Sequence, residues 1–349
     1  MSNQTNLPNR TEAADVVVIG AGPAGLFSIF ECGMLKMSCH VIDALDAIGG
    51  QLSALYPEKP IYDIPGFPKV MAADLVRDLE AQVAPFDPVF HLGQQVVTLL
   101  EYDENRWLVE TTKGTRINAG AVIIAAGVGA FGPNRPPLEG IESYEGQGVG
   151  VGVHYLVKQR QDFTGKKVVI AGGGDSAVDW ALSLADVAES LAIVHRRPKF
   201  RAAPGSADKL QKLADDGVID LVVPFQLAGL EGDASKLQAV VVADLDGNQR
   251  TLEADALLPF FGLSQNIGPI ADWGLNLDHN HITVDQASMA TSRPGIFAIG
   301  DIIDYPGKLK LILTGFAEAA MAAHAAHALV HPDEALHFEY STTKGVPTK

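Results

Sequence analysis

Val16-Val17-Val18-Ile19-Gly20-Ala21-Gly22-Pro23-Ala24-Gly25 starts as an apolar run, breaks into Gly-x-Gly-x-x-Gly, and passes into a helical pattern. Four β-branched residues in a row favour a buried strand. The glycines then allow what a side chain would block: Gly20 a tight turn, Gly22 close approach of a pyrophosphate, Gly25 tight packing of the following helix on the strand. The free N–H groups of that helix's first turn face the anion. Val41-Ile42-Asp43 is a second apolar strand, ending in an acid 18 residues beyond Gly25, where the fingerprint places a carboxylate for ribose hydroxyls. The stretch therefore reads as a dinucleotide cradle, with Gly20, Gly22, Ala24, Gly25 and Asp43 as candidate contacts.

The rest of the composition limits what such a cradle can belong to. A chain of 349 residues holds two domains of ordinary size, and 47% hydrophobic with 19% charged residues suits packed cores. A net charge of -16 excludes a general nucleic-acid binder, which needs a basic face. Cys32 and Cys39 are the two cysteines, too few for a disulfide framework or a Cys-x-x-Cys motif, and no metal-ligand motif is read. Residues 1–15 are polar, with no signal-like apolar core, and the Ala-rich segment 315–330 is interrupted by Glu318, His324 and His327. The expectation is a cytoplasmic protein that does not span a membrane.

Residues 49–68, rich in Gly and Pro and carrying Tyr56, Tyr62 and Asp63, read as an irregular loop of a length that usually touches a ligand. A helix is predicted over 72–84, a hairpin from 107–109 and 116–117, and a separate buried strand over 121–126. The proline-rich stretch 129–140 reads as a connector.

Val168-Val169-Ile170-Ala171-Gly172-Gly173-Gly174-Asp175-Ser176-Ala177 then repeats the opening, 152 residues later. The repetition continues in a second hairpin around Asp246-Gly247-Asn248 and a strand over 252–258. Gly295-Ile296-Phe297-Ala298-Ile299-Gly300-Asp301 has no cradle of its own, so the chain is expected to return to the first domain there. The fold is predicted to be α/β, with two nucleotide-binding, three-layer ββα, Rossmann-like domains, one inserted in the other. Boundaries fall at 1–127 with 263–349, and 128–262.

The second cradle differs from the first where its second strand ends. Ala192-Ile193-Val194 runs into His195-Arg196-Arg197, with Arg201 close by, in place of an acid. Guanidinium pairs bidentately with phosphate, so the second cradle favours the 2'-phosphate of NADP over NAD. Its candidate contacts are Gly172, Gly174, Asp175, Ser176, Ala177, His195, Arg196, Arg197 and Arg201.

Gly-x-Gly-Pro-Ala-Gly, Gly49-Gly50-Gln51, Gly-Gly-Gly-Asp-Ser-Ala, His-Arg-Arg-x-x-Phe-Arg and Phe-Ala-Ile-Gly-Asp together resemble a thioredoxin-reductase-type flavoprotein over nearly the whole chain. Thioredoxin reductases carry Cys-x-x-Cys where this chain has Tyr155-Leu156-Val157-Lys158, so no dithiol relay is possible. Residues 52–59 and 338–343 instead look like the thioredoxin-reductase-like ferredoxin-NADP reductases. That resemblance implies FAD on the first cradle and NADP(H) on the second, the rings meeting through domain rotation.

By the same resemblance, Asp43 would hold the adenosine ribose, Gln51 and Asp301 the flavin and its ribityl or pyrophosphate portion, and Val96 the adenine through its backbone. Tyr56 would cover one flavin face, Phe131 would lie near it, and Tyr340 would stack on the other face with Thr342 nearby, from the partner subunit of a homodimer. No side chain is expected to act as acid or base. The implied reaction is hydride transfer between NADP(H) and FAD and single-electron exchange with ferredoxin or a flavodoxin-like carrier. An acidic chain repels an acidic carrier, so Lys59, Lys69, Lys308 and Lys310 are candidates for a local basic patch. The alternatives are an NADPH-dependent flavin oxidase, quinone reductase or disulfide reductase of the same fold, and a non-catalytic flavin or NADP sensor.

Overall fold

The structure, a computed structural model, describes residues 11–103, 106–233, 236–334 and 345–346, without the side chains of 130–133 and 263–265. β1 (Glu12–Ile19) is buried throughout Val16–Ile19, as an unbroken β-branched run demands when both sheet faces are covered. It turns into α1 (Pro23–Met34), and β2 (Cys39–Asp43) follows parallel to it, with Val16 opposite Cys39.

Residues 49–68 are more ordered than a plain loop. They form α2 (Gln51–Leu55), which buries Leu52 and Leu55, and β3 (Pro60–Ile61), which pairs with β4 (Val70–Met71). Apolar residues scattered among the prolines supply that order. α3 (Ala72–Val83) buries Leu75, Leu79 and Val83, the face its spacing predicts. β5 (Val89–Leu92) joins β2 as an edge strand.

β6 (Val96–Asp103), β7 (Arg106–Thr111) and β8 (Arg116–Ile124) extend the same sheet. β8 is one strand where the sequence reading gave two. Its first half pairs antiparallel with β7, and it runs parallel to β1 along its whole length. All of 119–124 is buried, so no solvated break separates the halves.

After β9 (Ala130–Pro133) the inserted copy begins: β10 (Gly152–Val153), β11 (Lys167–Ala171), α4 (Asp175–Leu184), β12 (Ser190–Val194), α5 (Pro204–Asp215) and β13 (Asp220–Val222). β14 (Gln226–Asp233), β15 (Lys236–Ala243) and β16 (Gln249–Glu253) form a separate antiparallel sheet, and β17 (Ala256–Pro259) enters the parallel one beside β11. Alternation along the parallel strands makes the layers. Val169, Ala171, Ala192, Val194 and Leu257 pack with Leu237, Val240 and Val242 of the antiparallel sheet. Val168, Ile170, Leu191, Ile193 and Leu258 pack with Val178, Ala181 and Leu184 of α4 and Leu210 of α5.

Here the two copies diverge. The predicted strand 252–258 is broken, because the backbone of Asp255 pairs with Lys167 (N to O, 2.8 Å) and its carboxylate accepts the Lys167 N–H at 3.0 Å.

β18 (Leu263–Asn266) pairs with β9 and leads back to the first unit. There β19 (Leu277–Asp278) and β20 (His281–Thr283) form a small sheet, and β21 (Ile296–Ala298) lies parallel to β8. β22 (Ile303–Asp304) pairs with β20, and α6 (Ile312–Val330) packs on α1, with the Phe27 and Phe316 rings 4.9 Å apart. Two compact units result: Met1–Phe131 with Gln265–Lys349, and Gly132–Ser264. No helix among the described residues is long and apolar enough to cross a membrane.

Candidate functional site

The first cradle opens onto a cleft of about 450 Å³ inside the first unit. What its three glycines are for can be read from the space around them. A Cβ on Gly20 would lie 2.3 Å from the Ala125 carbonyl oxygen, with φ at +111°. One on Gly25 would lie 2.0 Å from the Gly20 carbonyl oxygen. The chain itself forbids side chains at both. Gly22 is different, since a Cβ there meets nothing closer than the Gly50 Cα at 4.0 Å. Nothing in the protein fills that space, which leaves the Gly22 backbone open to the cleft. α1 begins there with no side-chain cap and no acid in its first turn, so its N–H groups remain open to an anion.

The predicted residues Gly20, Gly22, Ala24, Asp43, Gln51, Tyr56, Val96 and Asp301 all line this cleft. Gly25 does not; its task is packing. The Asp43 carboxylate accepts the N–H of Ala21 at 2.6 Å and of Leu45 at 2.8 Å. Burial raises its pKa, and these two donors offset that rise only in part. The carboxylate is thereby fixed at the end of β2 with lone pairs to spare for hydroxyl donors. Tyr56 closes the C-terminal end of α2, and its phenol is pushed up by burial first and by the Asp301 charge second. The Phe131 side chain, Tyr340 and Thr342 lie outside the described residues.

Other lining residues carried no sequence signal. Gln94 and Gln95 precede Val96, and Gln94 Oε1 accepts the hydroxyls of Thr111 and Thr115, each at 2.8 Å. Ile267, Pro269, Ile270 and Trp273 arrive from the far end of the sequence. Glu318 was visible only as an interruption in an Ala-rich helix. It is 2% exposed, accepts the Gly300 N–H at 2.8 Å and the Tyr305 hydroxyl at 2.7 Å, and pairs with the Lys308 ammonium. It thus anchors the Gly300-Asp301 turn from behind, and burial with this bond pushes the Tyr305 phenol up to about 12. Lys308, read as a surface cation, is a buried structural one; Lys69 and Lys310 are exposed and Lys59 is half-buried.

The second unit builds its cradle by the same logic. A Cβ on Gly172 would lie 2.6 Å from the Phe260 carbonyl oxygen, whereas one on Gly174 meets nothing within 4 Å. Asp175 Oδ1 accepts the Ala203 N–H at 2.9 Å, and the Arg201 N–H donates to the Gly173 carbonyl at 2.6 Å. These bonds hold the 195–203 loop against the start of α4, where Ser176 is exposed and Ala177 is buried. Arg196, Arg197 and Arg201 are exposed beside it.

His195 packs against the turn of this cradle. Its ring lies over Gly173, 2.1 Å from where a Cβ would sit, and 5.1 Å from the Phe200 ring. Burial, then the three arginines, lowers its pKa, so the ring is neutral at pH 7 and the positive charge belongs to the guanidinium groups.

Burial is likewise the leading cause of lowered pKa values at His154, His281 and His327. The folded state binds fewer protons than the unfolded chain as pH falls through the ordinary histidine range, so stability is lost with acidification. The melting temperature is expected to fall steadily below about pH 6.5. A melting curve that is flat from neutrality to mildly acid pH would contradict the burial of these rings.

Residues 14–328 match the pyridine nucleotide-disulphide oxidoreductase family. The ferredoxin--NADP reductase of Paramagnetospirillum magneticum is 64% identical over 333 residues, covering 95% of this chain and 98% of that one. That of Rhodospirillum rubrum is 60% identical over 350 residues, covering 99% of each. Among solved structures, Lactococcus lactis thioredoxin reductase has a TM-score of 0.76 at 25% identity, covering 91% of this chain and 99% of that one. The thioredoxin reductase of T. acidophilum, with a TM-score of 0.77 at 24% identity, covers 91% of this chain and 98% of that one and shares the fold. With a cradle in each unit, this chain belongs to the pyridine nucleotide-disulphide oxidoreductase family and, within it, to the ferredoxin–NADP reductases.

Proposed function

We propose that the chain moves reducing equivalents between NADP(H) and ferredoxin or a flavodoxin-like carrier through FAD held in the first unit. The observation that carries this reading is the contrast between the cradles. Each has a glycine beside which the protein leaves open space, at Gly22 and Gly174, where a phosphate could approach the backbone. One is flanked by the fixed Asp43 carboxylate, the other by Arg196, Arg197 and Arg201. A carboxylate suits the ribose hydroxyls of FAD, and guanidinium groups suit the 2'-phosphate of NADP(H).

When bound, FAD supplies the conversion between a two-electron hydride and one-electron transfers. The chain's own work is positioning. The α1 N-terminus and Gly22 take the pyrophosphate of FAD, Asp43 its ribose, and the backbone at Val96 its adenine. Gln51, Tyr56 and Asp301 hold the flavin end, where Tyr56 presents an aromatic face and limits water. Phe131, Tyr340 and Thr342 complete the flavin site in this reading. Gly172, Gly174, Asp175, Ser176, Ala177 and His195 shape the second cradle.

A disulfide reductase needs a reactive thiol pair, and both cysteines of this chain are buried, with the hydrogen bond to the Cys39 thiol first and burial second pushing the Cys32 thiol up. We read the assembly as a cytoplasmic homodimer, for which sedimentation at twice 37.0 kDa is the check.

The purified protein is expected to be yellow, to bleach anaerobically with NADPH, and to be reoxidised by ferredoxin. Cytochrome c reduction should rise steeply on adding ferredoxin; bleaching without ferredoxin-dependent turnover would assign another acceptor. Replacing Arg196 and Arg197 together by Ala is expected to raise the KM for NADPH roughly tenfold or more, since hydrogen bonds to charged groups are the strong ones. The KM for NADH should barely move, and an equal rise for both nucleotides would sink the 2'-phosphate assignment. Exchanging Lys69 and Lys310 for Glu is expected to raise the KM for ferredoxin at low salt and to flatten its salt dependence. An unchanged salt dependence would place docking elsewhere.

A further inference from the structure

Away from the cleft, three side chains from three adjacent strands converge at the β5 edge of the first sheet. Glu12 comes from β1, His40 from β2 and His91 from β5. His40 Nδ1 lies 3.0 Å from His91 Nε2 and 3.6 Å from the Glu12 carboxylate. One ligand atom from each residue lies within 4.8 Å of the other two. The two rings stack with centroids 5.2 Å apart. His40 is buried, His91 half-buried, and Glu12 exposed.

Each neutral imidazole keeps one lone pair. A single proton between His40 Nδ1 and His91 Nε2 serves that contact. The Glu12 carboxylate is then left to share a donor already committed elsewhere. A cation among the three atoms satisfies both nitrogen lone pairs and the carboxylate together.

The spacing suits such an ion. With metal–ligand distances of about 2.0–2.2 Å, tetrahedral neighbours lie about 3.3 Å apart, between the observed 3.0 and 3.6 Å. Exposed Glu12 can turn inward to close the third distance, and its side of the site is open to water as a fourth ligand. Imidazole and carboxylate together are a set for zinc-class ions, not for calcium or magnesium, which take oxygen ligands.

We propose that Glu12, His40 and His91 bind one divalent transition-metal ion of the zinc class. The ion has a structural task, because none of the three residues lines the cofactor cleft. It ties edge strand β5 to β2 and β1. β5 continues into Gln94, Gln95 and Val96 of the cleft wall, where the Gly93 N–H donates to Leu45 at 2.7 Å and the Gln94 N–H to the Asp43 carbonyl at 3.0 Å. The ion therefore braces the wall that stands beside Asp43. The ligands lie on separate strands, 28 and 51 positions apart in order, which is why no sequence motif announces them.

The test uses untagged flavoprotein, treated with chelator and dialysed, then titrated with Zn²⁺ by calorimetry and with Co²⁺ by visible absorption. One ion per chain is expected at micromolar or tighter affinity, with tetrahedral Co²⁺ bands and a rise in melting temperature on adding Zn²⁺. His91→Asn should weaken binding by at least about tenfold and remove the rise, while leaving the flavin spectrum unchanged. If His91→Asn does not fold, Glu12→Gln decides the matter, since Glu12 is exposed and its loss leaves the core intact. Absence of binding below millimolar Zn²⁺ overturns the proposal. So does wild-type affinity in both variants, which would assign the ion to the remaining histidines.

Discussion

Replacing Glu318 by Ala is expected to cost about 3–5 kcal/mol of stability, the range for removing one partner of a buried ion pair, and to release the bound flavin. Three groups lose their acceptor at once. The Lys308 side chain, 1% exposed, keeps its charge with no counter-charge, and the half-buried Tyr305 hydroxyl and Gly300 N–H lose their acceptor. Gly300-Asp301 borders the cleft, so its turn loses its support from behind. Urea unfolding gives the stability, and flavin absorbance per chain gives the occupancy.

A double substitution separates the two effects. Lys308→Met with Glu318→Leu removes both charges and is expected to recover most of the stability, because a well-packed apolar pair replaces a buried ionic one at little cost. It does not restore an acceptor for the Gly300 N–H. Flavin affinity should therefore stay low while stability returns. If both recover together, Glu318 is only a fold residue and does not position the turn.

Gly25→Ala is the second large effect. The added carbon would sit 2.0 Å from the Gly20 carbonyl oxygen, so the start of α1 must move away from the turn that it packs on. A loss of about 3 kcal/mol or more is expected, at the top of the range for an overpacked core, with little soluble protein. Gly22→Ala is the internal contrast, since its carbon meets nothing nearer than 4.0 Å. That variant should fold with nearly wild-type stability and bind flavin weakly. Equal instability in the two variants would mean that Gly22, too, is demanded by packing and not by a ligand.

What could be read from the sequence was local. The cradles are legible because turn, close approach and helix start all follow one another along the chain, and Asp43 and the arginines because each ends a recognisable strand. Glu318 and Lys308 were not legible, since a charged residue in an apolar stretch gives no sign of whether its partner waits in the interior. Nor was the cleft wall at Ile267–Trp273, which reaches the cradle only through tertiary folding. The break at Asp255 depends on a hydrogen bond to Lys167, and the order of 49–68 on a few apolar contacts that Gly and Pro outnumber.

The return of β21 to β8 also sets an order of events during synthesis. β8 is complete at Ile124, yet its β21 neighbour begins at Ile296. The unit Gly132–Ser264, by contrast, is contiguous. On the ribosome it can finish folding first, while its host waits with the free edge of β8 unpaired. That edge is the segment most open to wrong pairing in a nascent chain. A chain truncated after Ser264 should therefore hold a folded second unit beside an aggregation-prone first one.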